Sequence, residues 1–392
     1  MSRWALSAAA AVAAIIIQSS GVSFGQDAVG LTDVKPPVRV QTHAQVGAGG
    51  LTPAQVRRAY GFDRIANKGA GQTIGIIEAF DHPLIEEDLA VFTETFGLRA
   101  CTSANGCLRK IYASGSRPRQ DHLWAFEIAL DVEWAHAMAP EAQILLVEAP
   151  SARLTDMLAA VDLAVQNGAS VVSMSWGARE SANELSNDNH FVASGVMFVA
   201  SSGDFGTGVL YPAASPDVIG VGSTTLSTDA HGNYLGETAN SGSGGGQSAF
   251  EVEPSHQTLF GIPNNPEFRR GVPDVAYNGD IITAGFLVYD SIPLFGEKGW
   301  SLGGGSSAGA PQWAALLAIV NSSRAAEGKG ALSGNAAVLY DAAKTEELPY
   351  NDITTGTNGT CGVLCTAAPG YDYVTGLGSP RANRLIPKLV RK

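Results

Sequence analysis

The chain has 392 residues, 45% hydrophobic and 16% charged, enough to bury a large core in one domain or two. Its 25 basic and 37 acidic residues give a net charge of −12 with no basic run, which argues against nucleic acid as a partner. The low basic content suits an acidic medium, and it suits ordinary solubility equally well.

Residues 1–25 read as a secretory signal: Arg3, an apolar run from Ala5 to Ile17, then the small residues around Ser23 and Gly25. The run is short for a membrane span, so an exported protein with no membrane attachment after cleavage is expected, with an uncleaved N-terminal anchor as the alternative. Residues 26–50 are polar and aperiodic and read as a flexible leader or short pro-segment. Residues 51–392 read as one large domain, opening at Thr52-Pro53 with a good N-cap followed by a good first helical residue.

Apolar β-rich runs at 73–78, 143–148, 170–175 and 195–201 then alternate with helical stretches at 84–96, 122–138, 154–167 and 308–322. Such alternation predicts a doubly wound α/β fold, a parallel sheet flanked by helices. Sites in these folds gather at the carboxyl ends of strands. Polar groups stand there at Glu78, Ser175-Trp176-Gly177 and Ser202-Gly203-Asp204. The four cysteines, Cys101, Cys107, Cys361 and Cys365, bracket two small loops. Two local disulfides are the simplest arrangement for an exported chain, and a four-thiolate metal site is the rival.

Two clusters carry chemistry. The first is Trp124 to Trp134, where Glu127 and Asp131 stand four apart among apolar residues. On a helix, and equally on a strand, that spacing puts both carboxylates on one side. Buried together they repel, so one is expected to keep its proton near neutral pH. The bland alternative is a solvated acidic stripe ending in Glu133. The second cluster is Gly303-Gly304-Gly305-Ser306-Ser307-Ala308-Gly309-Ala310-Pro311, a glycine loop that delivers a serine to the start of an apolar helix. A hydroxyl there meets the positive helix end and leaves room for a carbonyl to approach, although a plain N-cap would look similar. None of His43, His82, His122, His136, His190, His231 and His256 sits in a subtilisin-like His-Gly-Thr setting. A carboxylate is therefore the best base for Ser307, and its low ordinary pKa points to work in acid.

These residues resemble the sedolisins, or serine-carboxyl peptidases, which are acid-acting endopeptidases and tripeptidyl-peptidases with a subtilisin-like fold. Gly305-Ser306-Ser307-Ala308-Gly309-Ala310-Pro311 matches the family's Gly-Thr-Ser-Ala-x-x-Pro with Ser for Thr. The spacing of Glu127 and Asp131 ahead of Ala139-Pro140 matches its Glu-x-x-x-Asp pair, and Ser202-Gly203-Asp204 its Ser-Gly-Asp. Matches at 243–257 and 374–378 bring the span to residues 51–380. The resemblance implies Ser307 as nucleophile, Glu127 as base, Asp131 as its partner and Asp204 as oxyanion donor. Glu78 and Trp176 would extend the network.

It also implies one structural Ca2+, held by the carboxylates of Asp352 and Asp372 and the carbonyls of Ile353, Ala368 and Gly370, an all-oxygen set suited to a hard cation. The family usually carries a long pro-domain that assists folding and blocks the site; here residues 26–50 stand in that place, and either this leader suffices or folding proceeds without such help. A secreted, monomeric acid endopeptidase acting on protein or peptide substrates is the expectation, with a tripeptidyl-peptidase as alternative. A glycosidase reading fails because side-by-side carboxylates cannot flank a sugar. A calcium-stabilised binding protein would require an idle Ser307.

Overall fold

The computed structural model describes residues 33–46, 49–345 and 347–392; the signal read at 1–25 lies outside them. Among the described residues no helix is long and apolar enough to cross a membrane.

The first strand, β1 (Arg39–Gln41), falls inside the stretch read as a flexible leader. It pairs antiparallel with residues 302–304, and Val34, Pro36 and Pro37 ahead of it are buried. The leader reading is thus corrected over 33–41. Two prolines hold the backbone extended, and its pairing partners come from distant parts of the fold. Helix α1 (Pro53–Ala59) begins as expected, with the Thr52 hydroxyl accepting the Gln55 N–H and the Gln55 side chain accepting the Thr52 N–H.

Strands and helices then alternate: β2 (Thr73–Ala79), α2 (Ile85–Phe96), β3 (Leu108–Tyr112), α3 (His122–Met138), β4 (Gln143–Ala149), α4 (Leu154–Gln166), β5 (Val171–Met174) and β6 (Met197–Ser201). There follow β7 (Val218–Thr228), β8 (Tyr234–Ala239), β9 (Val275–Asn278), β10 (Phe286–Leu294), β11 (Glu297–Gly304) and α5 (Gly309–Ala326). The main sheet runs β8-β7-β6-β5-β2-β4-β3, with β9 also pairing β7. It is parallel except for β8, which pairs β7 antiparallel. β1, β11 and β10 form a separate three-stranded antiparallel sheet.

Both faces of the main sheet are covered, so its strands alternate between two cores. Ile74, Ile76, Ile144, Leu146, Val171, Met197 and Val199 pack with Ile128 and Leu130 of α3 and Leu317 of α5. Ile77, Leu145, Val147, Val172, Met174 and Phe198 pack with Met157 and Val161 of α4. The two-residue period of a strand then assigns the polar ends. Glu78 continues the parity of Ile74 and Ile76, and Ser175 that of Val171, so both belong to the α3 face.

Helix α3 is buried from Trp124 to Met138. It packs against α5, β2 and β10, which explains why its sequence lacks an amphipathic stripe. Glu133 is fully buried and accepts the Tyr289 N–H at 3.1 Å, so the solvated-stripe alternative is excluded.

Candidate active site

Three elements converge where β2, α3 and the start of α5 meet. Glu127 and Asp131, one turn apart on α3, are fully buried, as are Glu78 at the end of β2 and Ser307. Glu78, Glu127 and Asp131 each bring a carboxyl oxygen within 4.8 Å of the others. Ser307 sits in a short 3-10 turn, Ser306–Ala308, that feeds α5. The preceding Gly305 has φ +94°, and a side chain there would run into both the Asp204 carboxylate and the Pro37 carbonyl oxygen. Only glycine fits this approach.

Burial pushes Glu127 well above the ordinary carboxylate range, and Asp131 and Asp204 raise it further, while the Ser307 hydroxyl works the other way. Glu78 is raised by burial and then by Asp131 and Glu127. Asp131 is raised by burial and eased back by the Ser175 hydroxyl and by Glu78, which faces it without an aligned hydrogen bond. The low base pKa expected from residue type is corrected by burial: the acids hold protons in common. Neither the Ser307 hydroxyl nor either Glu127 oxygen has a well-aligned hydrogen-bond partner. Their interaction is loose, a geometry that tightens when a substrate fills such a site.

Asp204 follows β6 and is 9% exposed. Its Oδ1 accepts the Ser306 N–H at 2.8 Å, while Oδ2 has no partner. Burial raises its pKa to about 6 against the pull of Arg39 and the Ser306 bonds. Below that pH it can donate a hydrogen bond, in the direction of Gly305. A serine, a proton-sharing acid pair and a protonatable donor together can perform acyl transfer.

A profile of the subtilase family matches residues 125–352, more than half of the chain. The chain belongs to the subtilase family. Among its relatives, kumamolisin of Bacillus sp. (strain MN-32) is 34% identical over 86% of this chain and 63% of its own length. Tripeptidyl-peptidase 1 of Dictyostelium discoideum is 26% identical over 86% of this chain and 58% of its own length. The solved structure of Pseudomonas sedolisin, a serine-carboxyl proteinase complexed with two molecules of pseudo-iodotyrostatin, matches with a TM-score of 0.73 and 29% identity. That match covers 87% of this chain and 98% of the other. The sedolisin resemblance and the subtilisin-like fold both hold. The chain spans about three fifths of the length of the curated relatives it matches.

In this subtilase the Trp176 indole N–H donates to the Ile77 carbonyl at 2.9 Å, and its ring packs in the α4-side core. It adjoins the acid network without a hydrogen bond to it. Two serines that motif reading passed over take its place. Ser175 Oγ lies 2.7 Å from Asp131 Oδ2 and 3.2 Å from the Ser307 carbonyl oxygen. Ser306 accepts the Gly203 N–H at 3.0 Å, tying the nucleophile's turn to the Asp204 loop. Ser175 stood among the polar groups expected at the strand ends, and the parity of β5 could have turned it toward α3.

The subtilase's own segment 33–41 crosses this site. Val34 N–H donates to the Ala152 carbonyl at 2.7 Å, and Lys35 and Gly177 exchange a pair of bonds, both 3.1 Å. The Pro37 carbonyl reaches Gly305 beside Asp204, Arg39 donates to the Asp204 carbonyl at 3.1 Å, and β1 runs out along β11.

Both cysteine pairs are disulfides, Cys101–Cys107 and Cys361–Cys365. The second lies within the loop from Asp352 to Asp372. There Asp352 accepts the Gly370 N–H at 3.1 Å, and Asp372 accepts N–H groups from Ala368 (3.2 Å), Val374 and Thr375 (2.8 Å each). The carboxylates and backbone carbonyls of this loop are the oxygen ligands a hard cation takes, and both carboxylates already accept backbone N–H groups.

Proposed function

We propose that this chain is an exported endopeptidase that works in acid and cleaves protein or peptide substrates through an acyl-enzyme. The observation that carries the reading is the set of buried carboxyls against Ser307, neutralised by shared protons, with protonatable Asp204 on the other side of Gly305.

Ser307 Oγ attacks the peptide carbonyl carbon as its proton passes to Glu127. Asp131 takes up part of that proton, kept in place by the Ser175 hydroxyl. The tetrahedral oxygen accepts a hydrogen bond from protonated Asp204, which replaces a neutral oxyanion donor. Glu127 then protonates the leaving amine, and the C–N bond breaks. Water attacks the acyl-Ser307 by the same path in reverse. Two protonation demands bound the pH range. Asp204 must keep its proton, which burial favours by raising its pKa to about 6, and the acid pair must give up one, which burial opposes until substrate and the Ser175 and Ser307 hydroxyls favour the ionised form.

The segment 33–41 supports the reading in a second way. It lies as an extended chain pairing with Gly177, its Pro37 carbonyl beside Asp204, as a peptide substrate would. It has to leave before another chain can enter. The Asp352–Asp372 loop is proposed to bind one structural Ca2+ through Asp352, Asp372 and the carbonyls of Ile353, Ala368 and Gly370.

Casein cleavage between pH 3 and 6, compared with Ser307→Ala, tests the proposal: activity in the first and none above background in the second. Equal inertness would favour a binding protein. Similarity to tripeptidyl-peptidase 1 keeps exopeptidase cleavage as the second reading. Mass spectrometry of a digested peptide mixture separates the two, since only the exopeptidase releases N-terminal tripeptides throughout.

A further inference from the structure

Ser175 has one hydroxyl hydrogen and two acceptors. It follows β5 on the α3 face, is fully buried, and reaches Asp131 Oδ2 at 2.7 Å and the Ser307 carbonyl oxygen at 3.2 Å. Either acceptor alone would satisfy a buried serine. Having both places this hydroxyl between the acid pair and the nucleophile's own peptide unit.

We propose that Ser175 is a positioning residue whose hydroxyl follows the charge on Asp131 and braces the nucleophile's turn when that charge is lost. With Asp131 ionised, the hydroxyl donates to it, because a charge-assisted bond is the stronger of the two. When Ser307 gives its proton to Glu127, the acid pair becomes neutral and Asp131 becomes a poorer acceptor. The Ser175 hydrogen stays on its oxygen and turns toward the Ser307 carbonyl. That carbonyl belongs to the turn Ser306–Ala308, which is fixed on its other side by Ser306 bonding Asp204 and Gly203. The turn is therefore held most firmly while the tetrahedral oxygen and the acyl bond form.

The ionisable groups facing this assembly are Glu127 and Asp131 on α3, Glu78 on β2, Asp204 after β6 with Arg39 beside it, and, more distantly, Glu148 on β4. The Ser175 bond eases Asp131 back toward ionisation. Removing it makes the pair release its proton at higher pH. Asp204 is not bonded to Ser175, so its titration stays where it is.

This inference rests on the peptidase reading, and the experiment separates their failures. In the full chain, Ser175→Ala should move the acid limb of the kcat/KM profile up by about one pH unit, roughly the worth of one charge-assisted bond, and leave the alkaline limb in place. Ser175→Cys, equal in size and a weak donor, should shift it the same way and serves if the alanine variant fails to fold. The second measurement needs no activity: the melting-temperature gap between wild type and variant, followed from pH 3 to pH 9. A hydroxyl that donates to ionised Asp131 makes the gap widen as pH rises through the pair's ionisation. An acid limb that stays put, or a gap independent of pH, overturns the role of Ser175 whether or not Ser307→Ala has upheld the peptidase.

Discussion

Two clusters of buried charge in this molecule are neutralised in different ways. Around Asp274 the solution is a cation. Arg270, fully buried, donates Nη1 to Asp274 Oδ1 at 2.7 Å and Nη2 to the other oxygen, while Tyr340 and the Gly220 N–H add bonds of 2.9 and 2.8 Å. Around Ser307 the solution is protons, with Glu78, Glu127 and Asp131 facing one another. A bidentate ion pair keeps its charge over a wide pH range and fixes structure. Acids that share protons change state with pH, which is of use to a reaction that moves a proton. The comparison sets a cluster suited to scaffold beside one suited to the proposed chemistry.

Breaking the second cluster gives the largest effect. Glu127→Gln removes the proposed base, and kcat should fall about 10⁴-fold or more, the range seen when triads lose a member. The same change should raise stability outside strongly acidic conditions. Glu127 has its folded pKa pushed up, so its contribution to stability is full below its unfolded pKa and is lost as pH rises toward the folded one. The melting temperature of Glu127→Gln should therefore pull ahead of wild type from about pH 4 upward. A variant that is inactive and no more stable at pH 7 than wild type would mean that the acid pair is not strained.

Breaking the first cluster comes next. Arg270→Met leaves Asp274 buried without its cation and should cost roughly 3–5 kcal/mol of unfolding free energy. Urea titration of the purified variant reads this directly. If the loss is under about 1 kcal/mol, Arg270 is not what neutralises Asp274.

The two clusters were unequally legible in the sequence. Helix α3 and the four parallel strands around it were readable because they are long, apolar and regular, and the pairing of Glu127 with Asp131 follows from their spacing within α3. Ser307 and Asp204 were found through motifs whose glycines answer a local steric need, as at Gly305. Arg270–Asp274 passed unnoticed, since an Arg and an Asp four apart usually sit on a surface. β7 to β11 were missed because glycines and polar residues interrupt their apolar runs. Ser175 acts through two distant acceptors, and no propensity marks it. Segment 33–41 looked unstructured because its bonds are all made with other parts of the fold.

The loop between Asp352 and Asp372 is where the two solutions compete. If Ca2+ binds, the loop resembles the Arg270 cluster, and saturation at a hundred times the dissociation constant should add about 2.7 kcal/mol. Chelation should then lower the melting temperature at pH 6, and Asp352→Asn should abolish that response. A melting curve indifferent to chelator, yet falling as pH rises, would place the loop with the proton-sharing acids.

Segment 33–41 sharpens the comparison at its smallest expected effect, because it carries a cation into the proton-neutralised site. Arg39 donates to the Asp204 carbonyl and pulls the Asp204 pKa down. While it is there, Asp204 holds its proton less firmly, and the oxyanion donor is weakened as well as covered. Arg39→Ala removes one charge-assisted bond at a half-buried position, so the segment should release more easily by roughly 1 kcal/mol, about fivefold in the open fraction. Progress curves at pH 4 should show an initial rate raised by that factor. A synthetic peptide of residues 33–41 should slow the Arg39→Ala protein again, competing with substrate. If the rate is unchanged and the peptide does not compete, the segment is a structural strand that happens to lie beside Asp204, and the groove it follows is not where substrates bind.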